Sequence, residues 1–221
     1  MKRMPLVLAT LAILSIFLIS PVAAANNQGL SWAIASADRF DFTVKTDIPG
    51  EDNINEGLYY VVQNNPSTIP DSITMWLQIP AITVKVYWTN GSTASLGLIG
   101  VDKLAVPIGN WTLLSALAED LAYPGYEDVN DAAYWGYKAR TAFFIPGIQL
   151  RLEVKWLKSD GFLSLIDATF WNTTSDSEYG SFTLTRQGGD ILSLIMDNIL
   201  YVGIGVGVII ILGAVVCLRR K

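Results

Sequence analysis

Histidine is missing altogether from the 221 residues, and cysteine occurs once, as Cys217. Without an imidazole there is no Ser-His-Asp or Cys-His catalytic pair, and the commonest zinc ligand is gone. Because Cys217 lies in the apolar run near the C-terminus, the chain before it has no disulfide and no thiolate nucleophile. A small extracellular module of an animal is usually stapled by several disulfides, so their absence points to a prokaryotic surface. Glycine-rich phosphate cradles are lacking too: Gly188-Gly189 is an isolated pair and reads as a linker. Positive charge is scarce, with 15 Lys and Arg against 20 Asp and Glu. Lys2, Arg3, Arg219, Arg220 and Lys221 sit at the extreme ends, which leaves 10 basic against 20 acidic residues between them, a net −10. A field of that sign disfavours nucleic acid and anionic headgroups as partners.

What is present at both ends is apolar. Ile199 to Leu218 carries no charge and runs into Arg219, Arg220 and Lys221; twenty residues at a rise of ~1.5 Å make a helix of ~30 Å, the thickness of a bilayer's hydrocarbon core. At the other end Lys2 and Arg3, the run Leu6 to Ile19 and the small residues Pro21 to Ala25 have the three-part build of a secretory signal. Lys and Arg beside apolar segments stay on the cytoplasmic side, so the middle lies outside. The expected plan is a signal peptide over 1–25, an extracytoplasmic domain over 26–190, a lead-in and transmembrane helix over 191–218, and a cytoplasmic tail over 219–221. That plan is the one expected of a single-pass, type I cell-membrane protein with its domain outside. Gly203 and Gly207, four apart in the span, allow a close helix pair and hence a homodimer.

Within the domain the dominant period is two. Asp38 to Lys45, Ser72 to Ile79, Ile82 to Trp88 and Ile148 to Leu157 alternate apolar with polar residues, as half-buried antiparallel strands do. Pro146-Gly147 suits a type II turn between a strand at about Tyr137 to Ile145 and the one starting at Ile148. Asp160-Gly161 leads to a strand from Phe162 to Phe170, and Ser181 to Arg186 closes a four-strand meander. One helix interrupts: Asn110 caps Trp111 to Ala122, with Leu114, Leu117, Ala118 and Leu121 in one stripe, and Pro124 ends it. The fold class expected is α+β, a curved antiparallel sheet with one packed helix, plus the C-terminal transmembrane helix.

Three pieces in order carry a family resemblance. Trp32 with Asp38-Arg39-Phe40-Asp41-Phe42, then Pro107 to Leu114, then Trp156 to Leu163, resemble the archaeal choice-of-anchor S surface proteins, over about Trp32 to Arg186. Ala37 stands where glycine is expected. The resemblance implies a secreted domain joined to an exchangeable anchor, and assigns no activity, cofactor or site residue. The pattern also resembles the half-barrels of periplasmic lipoprotein chaperones, in which sheet and helix enclose an apolar cavity; that likeness bears on fold alone.

Carboxylates are the chemistry that remains. Glu153 and Asp167 fall on adjacent strands and are the pair a glycosidase-like hydrolase would need. The acidic runs Asp47 to Glu56 and Glu127-Asp128 with Asp131 lack calcium-loop spacing and read as solvated loops. Among seven tryptophans, Trp88 and Trp156 fall on inward faces. Trp76, Tyr134, Trp135 and Tyr137 are the candidates for an exposed aromatic platform or cavity rim. Asn90 and Asn172 head exposed glycosylation sequons, whereas the Asn110 sequon doubles as a helix cap. Two functions follow: a non-catalytic module binding an apolar molecule, a glycan or an envelope protein, and a carboxylate-dependent hydrolase tethered at the surface. A purely architectural domain would instead have a filled core and no pocket.

Overall fold

The computed structural model describes residues 25–94, 101–143 and 145–188. Eight strands among the described residues form one antiparallel sheet: β1 (Arg39–Asp47), β2 (Asn55–Val62), β3 (Val84–Trp88), β4 (Glu127–Asn130), β5 (Tyr134–Ala142), β6 (Ile148–Leu157), β7 (Leu163–Asn172) and β8 (Ser177–Arg186). Their order is β3-β2-β1-β8-β7-β6-β5-β4. The C-terminal meander β4 to β8 is thus joined to the N-terminal meander β1 to β3 through β1 and β8, with Val44 opposite Leu184. The sheet is open, with β3 and β4 at its edges.

Period two places one side of each strand in the core. In β1 the inward set is Phe40, Phe42 and Val44; in β6 it is Ile148, Leu150, Leu152, Val154 and Trp156, all buried. The Pro146-Gly147 turn has the expected geometry: Gly147 has φ of 80° and the Ile148 N–H donates to Ile145 O at 3.1 Å. Gly136 on β5 approaches β6 so closely that an added Cβ would lie 1.9 Å from Val154 O. Its partner Lys155 stands where the β6–β7 register slips, a bulge that bends the strand.

The helix α1 (Trp111–Glu119) is capped as expected, with Asn110 Oδ1 accepting the Leu113 N–H at 3.1 Å. Asn110 Nδ2 also donates to Gln28 O at 2.9 Å, tying the helix start to the N-terminal segment. The helix stops at Glu119, short of Ala122, which has φ of 52°, in the left-handed region. It covers the β4–β5 end of the inner face. Leu30, Trp32, Ile34, Ile69, Ile73, Ile79 and Val106, from the irregular segments, join the strands in one core cluster and close the rest of that face.

Three expectations need correction. Ser72 to Ile79 is not a strand but contains a 3₁₀ turn at Trp76–Gln78. Residues of such a turn repeat every three, so Ile73, Trp76 and Ile79 are buried while Met75 and Leu77 are 56% and 75% exposed, the reverse of an alternating strand. β2 was not expected, because Leu58, Tyr60 and Val62 face inward while Tyr59 and Val61 lie on the opposite side, so no polar alternation marks it. The acidic stretch read as loop at Glu127 is the short edge strand β4, held by pairing with β5.

Among the described residues no helix is long and apolar enough to cross a membrane. The signal sequence up to residue 24 and the expected anchor, from Ile199 through Gly203 and Gly207 to Arg219, Arg220 and Lys221, lie outside the described residues.

Candidate functional site

The space between the sheet and its cover is occupied by aromatic rings. Trp76, Trp135 and Trp156 meet with centroids 5.3 to 6.2 Å apart, and Trp111 and Tyr137 extend the cluster at 6.0 and 5.9 Å. Each buried indole N–H has an acceptor: Asp102 for Trp76 at 3.0 Å, Ser115 Oγ for Trp135 at 2.9 Å and Lys103 O for Trp156 at 3.2 Å. Buried aromatics whose polar tips are satisfied are structural members of a core. A second cluster joins Phe40, stacked on Phe162 at 3.8 Å, to Phe42 and Tyr60.

This relocates three of the four aromatics expected at an exposed platform. Trp76, Trp135 and Tyr137 are 2%, 0% and 1% exposed and lie in the interior. Inward positions of β5 alternate with outward ones, and Tyr134, half-buried, is on the other side of the sheet from Trp135 and Tyr137. The four do not come together. The expectation erred at Trp76 through the false strand, and at Trp135 and Tyr137 because a run of aromatics beside an acidic segment gives no face until the strand's start is known.

The other face of the sheet carries the chemistry. Outward positions of β1, β2 and β3 stack the Arg39 guanidinium 3.8 Å over the Tyr59 ring and Tyr59 on Tyr87 at 5.3 Å. Outward positions of β5, β6 and β7 set Lys138 opposite Glu153 and Glu153 opposite Asp167, and, one row on, Arg140 opposite Arg151 and Arg151 opposite Thr169. Arg151 lies 3.7 Å over Trp171, whose indole N–H donates to Asp176 at 3.2 Å. These rows line a recess of about 380 Å³, which also takes in Gly125 and Glu127.

Glu153 and Asp167 are therefore neighbours across the β6–β7 pair, as the sequence reading required. Glu153 is bound to Lys155 at 2.7 Å. Burial, then the Glu153 and Glu178 charges, push the Asp167 carboxyl above its usual range, while Lys155 pulls it down. Among the described residues no cluster of three or more carboxylates or thiolates is placed to hold a metal ion. Two further recesses are peripheral. One of about 420 Å³ is apolar, bordered by Ile48, Phe143, Ile145, Phe170 and Tyr179 at the end of the sheet. The other, of about 620 Å³, lies against Trp32 and the 65–71 segment.

The expected modification sites differ: Asn90 lies in a turn, whereas Asn172 is the last residue of β7 and is less open than expected. Asn90 is exposed at the end of β3, its Oδ1 accepting the Ser92 N–H and O–H at 2.9 and 2.7 Å. Asn172, half-buried, ends β7 and accepts from Thr174 and Ser175. Asn110 uses both ends of its amide, Oδ1 in the cap and Nδ2 as a donor to Gln28 O.

The comparisons with known proteins add no family: no protein-family model matches the chain, and no curated protein matches it.

Arg140, Arg151 and Trp171 are the residues that sequence reasoning missed. Arg151 was visible on the polar side of β6, but its opposite neighbour depends on the turn. A two-residue turn at Pro146-Gly147 alone would set Ala142 opposite Arg151; in the observed register Ala142 pairs Gln149, which brings Arg140 there.

Proposed function

We propose that this chain is an extracytoplasmic module held at the cell membrane by its C-terminal helix, without catalytic chemistry of its own, which binds an envelope glycan across the face of its sheet that the other described residues leave uncovered. In this reading the sheet curves, half-barrel-like, around a filled interior, and the anchor and signal sequence are those read from the two apolar ends. The observation that carries it is the contrast between the two faces. One is packed with aromatics whose indole N–H groups are satisfied; the other displays Arg–Tyr and Arg–Trp stacks among charged rows. Stacked rings beside hydrogen-bonding side chains suit sugars, which offer apolar ring faces and many hydroxyls. The filled interior gives no support to carriage of an apolar molecule between sheet and helix. The proposal sets the chain beside the choice-of-anchor S surface proteins that its motifs resemble. An oligosaccharide array probed with the full chain in detergent tests it. Retention of a subset of glycans with no release of reducing sugar is expected, and retention of none would overturn it.

A tethered hydrolase is the second reading, favoured by Asp167 with its raised pKa opposite Glu153. Residues directly opposed have Cβ atoms about 4.5–5.5 Å apart, which brings the two side chains to neighbouring positions, as a catalytic carboxylate pair requires. Release of reducing ends that is abolished by both Glu153→Gln and Asp167→Asn would establish it in place of the binding module.

A further inference from the structure

We propose that Arg140 and Arg151 form a clamp for the carboxylate of an acidic sugar, which names the ligand class of the outer face and rests on the glycan-binding reading above. Directly opposed like charges disfavour strand pairing, yet these two arginines are Cα partners on β5 and β6. Neither has a salt bridge among the described residues, although Glu153 and Asp167 are one row away; Glu153 is instead engaged by Lys155. Arg151 Nε is buried with no hydrogen-bond partner among the described residues. A buried donor of that kind is costly unless something accepts from it.

The Arg151 guanidinium is braced, and Arg140 is anchored at its backbone and its aliphatic stem. The Arg151 plane is held 3.7 Å over Trp171. Arg140 donates its backbone N–H to Pro124 O at 2.7 Å, and its aliphatic stem lies so near Gly125 that a Cβ there would be 3.2 Å from Arg140 Cδ. A preorganised fork such as that of Arg151 matches a planar carboxylate and loses little freedom on binding it.

The surroundings select the rest of the ligand. Glu127, Glu153 and Asp167 line the same recess. They repel a phosphate dianion, but they accept hydrogen bonds from hydroxyl groups. A monoanion rich in hydroxyls satisfies both sets, and a uronic acid, free or within a chain, has that composition. The Thr169 hydroxyl, directly opposite Arg151, adds a further partner.

Isothermal titration of the full chain in detergent, with tetragalacturonate, its methyl ester and monomeric galacturonate, tests the clamp. The acid is expected to bind at least about tenfold more tightly than the ester, since charge-assisted hydrogen bonds are lost with the ester. Arg140→Gln and Arg151→Gln are each expected to weaken the acid about tenfold or more without altering the ester, and Arg151→Lys to fail to restore affinity because it lacks the fork. The acid–ester comparison uses the unaltered protein, so it stands even where a variant fails to fold. A tetramer bound more tightly than the monomer assigns a glycan chain as the source; equal affinities assign a free sugar acid. Equal binding of acid and ester overturns the clamp while leaving the glycan surface standing, and binding of neither, with an empty oligosaccharide array, overturns both.

Discussion

Replacing Tyr60 with phenylalanine should make the protein more stable. Tyr60 is 1% exposed, and its hydroxyl has no hydrogen-bond partner among the described residues. Burial pushes its pKa up to about 12 from 10.0. Its ring packs edge-on against Phe42 at 5.2 Å, a contact that phenylalanine keeps. An unsatisfied buried hydroxyl costs about 1–3 kcal/mol. Removing it forfeits a few dispersion contacts of one oxygen, so the expected gain at neutral pH is about 1 kcal/mol, or about 2–4 °C in Tm for a domain of this size. A second readout is independent of the first. Because the folded pKa is raised, the unfolded chain releases its proton near pH 10 while the folded chain keeps it until about 12. Wild-type stability therefore falls with rising pH across that window, by about 1.4 kcal/mol per pH unit from this residue. The variant lacks that loss, so its advantage should widen between about pH 9 and pH 11. Urea denaturation followed by tryptophan fluorescence at each pH measures both. A variant less stable at pH 7, or a difference independent of pH, would refute the view that this hydroxyl is buried and unsatisfied.

Gly136→Ala should cost about 3 kcal/mol or more, because the new Cβ would meet Val154 O and, at 2.9 Å, Lys155 Cα, neither of them a movable side-chain end; a urea midpoint within error of wild type would contradict this. Ala37 has φ of 72° at an exposed position, a conformation costing a residue with a Cβ about 1–2 kcal/mol. Ala37→Gly should gain about 0.5–1 kcal/mol after glycine's greater unfolded-state freedom is subtracted, and a lower thermal midpoint would count against it. Asp167→Asn should raise the denaturation midpoint at pH 7, since the folded pKa is raised by burial and by Glu153. The raised pKa makes wild-type stability greatest below the unfolded pKa and lowers it as pH rises through the folded value, so the difference should close below about pH 4; a gap that persists at pH 3 would show another cause.

Much of the fold was legible where one face of a strand is apolar and the other charged. β6, with Leu150, Leu152 and Val154 against Arg151, Glu153 and Lys155, has the predicted bounds. The Asn110 cap and the Pro146-Gly147 turn were legible because each depends on local chemistry. β2 escaped because both its faces carry apolar or aromatic residues. Trp76 was misplaced because four alternating apolar residues fit a strand until a three-residue period buries the intervening one. At the site, the Glu153–Asp167 pair followed from a short hairpin. The Arg140–Arg151 pair did not, since its register depends on four loop residues rather than two. A sequence shows which residues have charge to offer; which of them are left without a partner is decided by register and by the packing of the opposite face.

The central claim, that recognition takes place on the outer face of the sheet, opposite the aromatic core, is tested most directly by hydroxyl-radical footprinting of the full chain with and without a bound oligosaccharide. The account predicts reduced labelling at Tyr59, Tyr87 and Trp171, with Met75 and Leu77 on the covering segment labelled as before. Protection of Met75 and Leu77 with the outer face unchanged would contradict it.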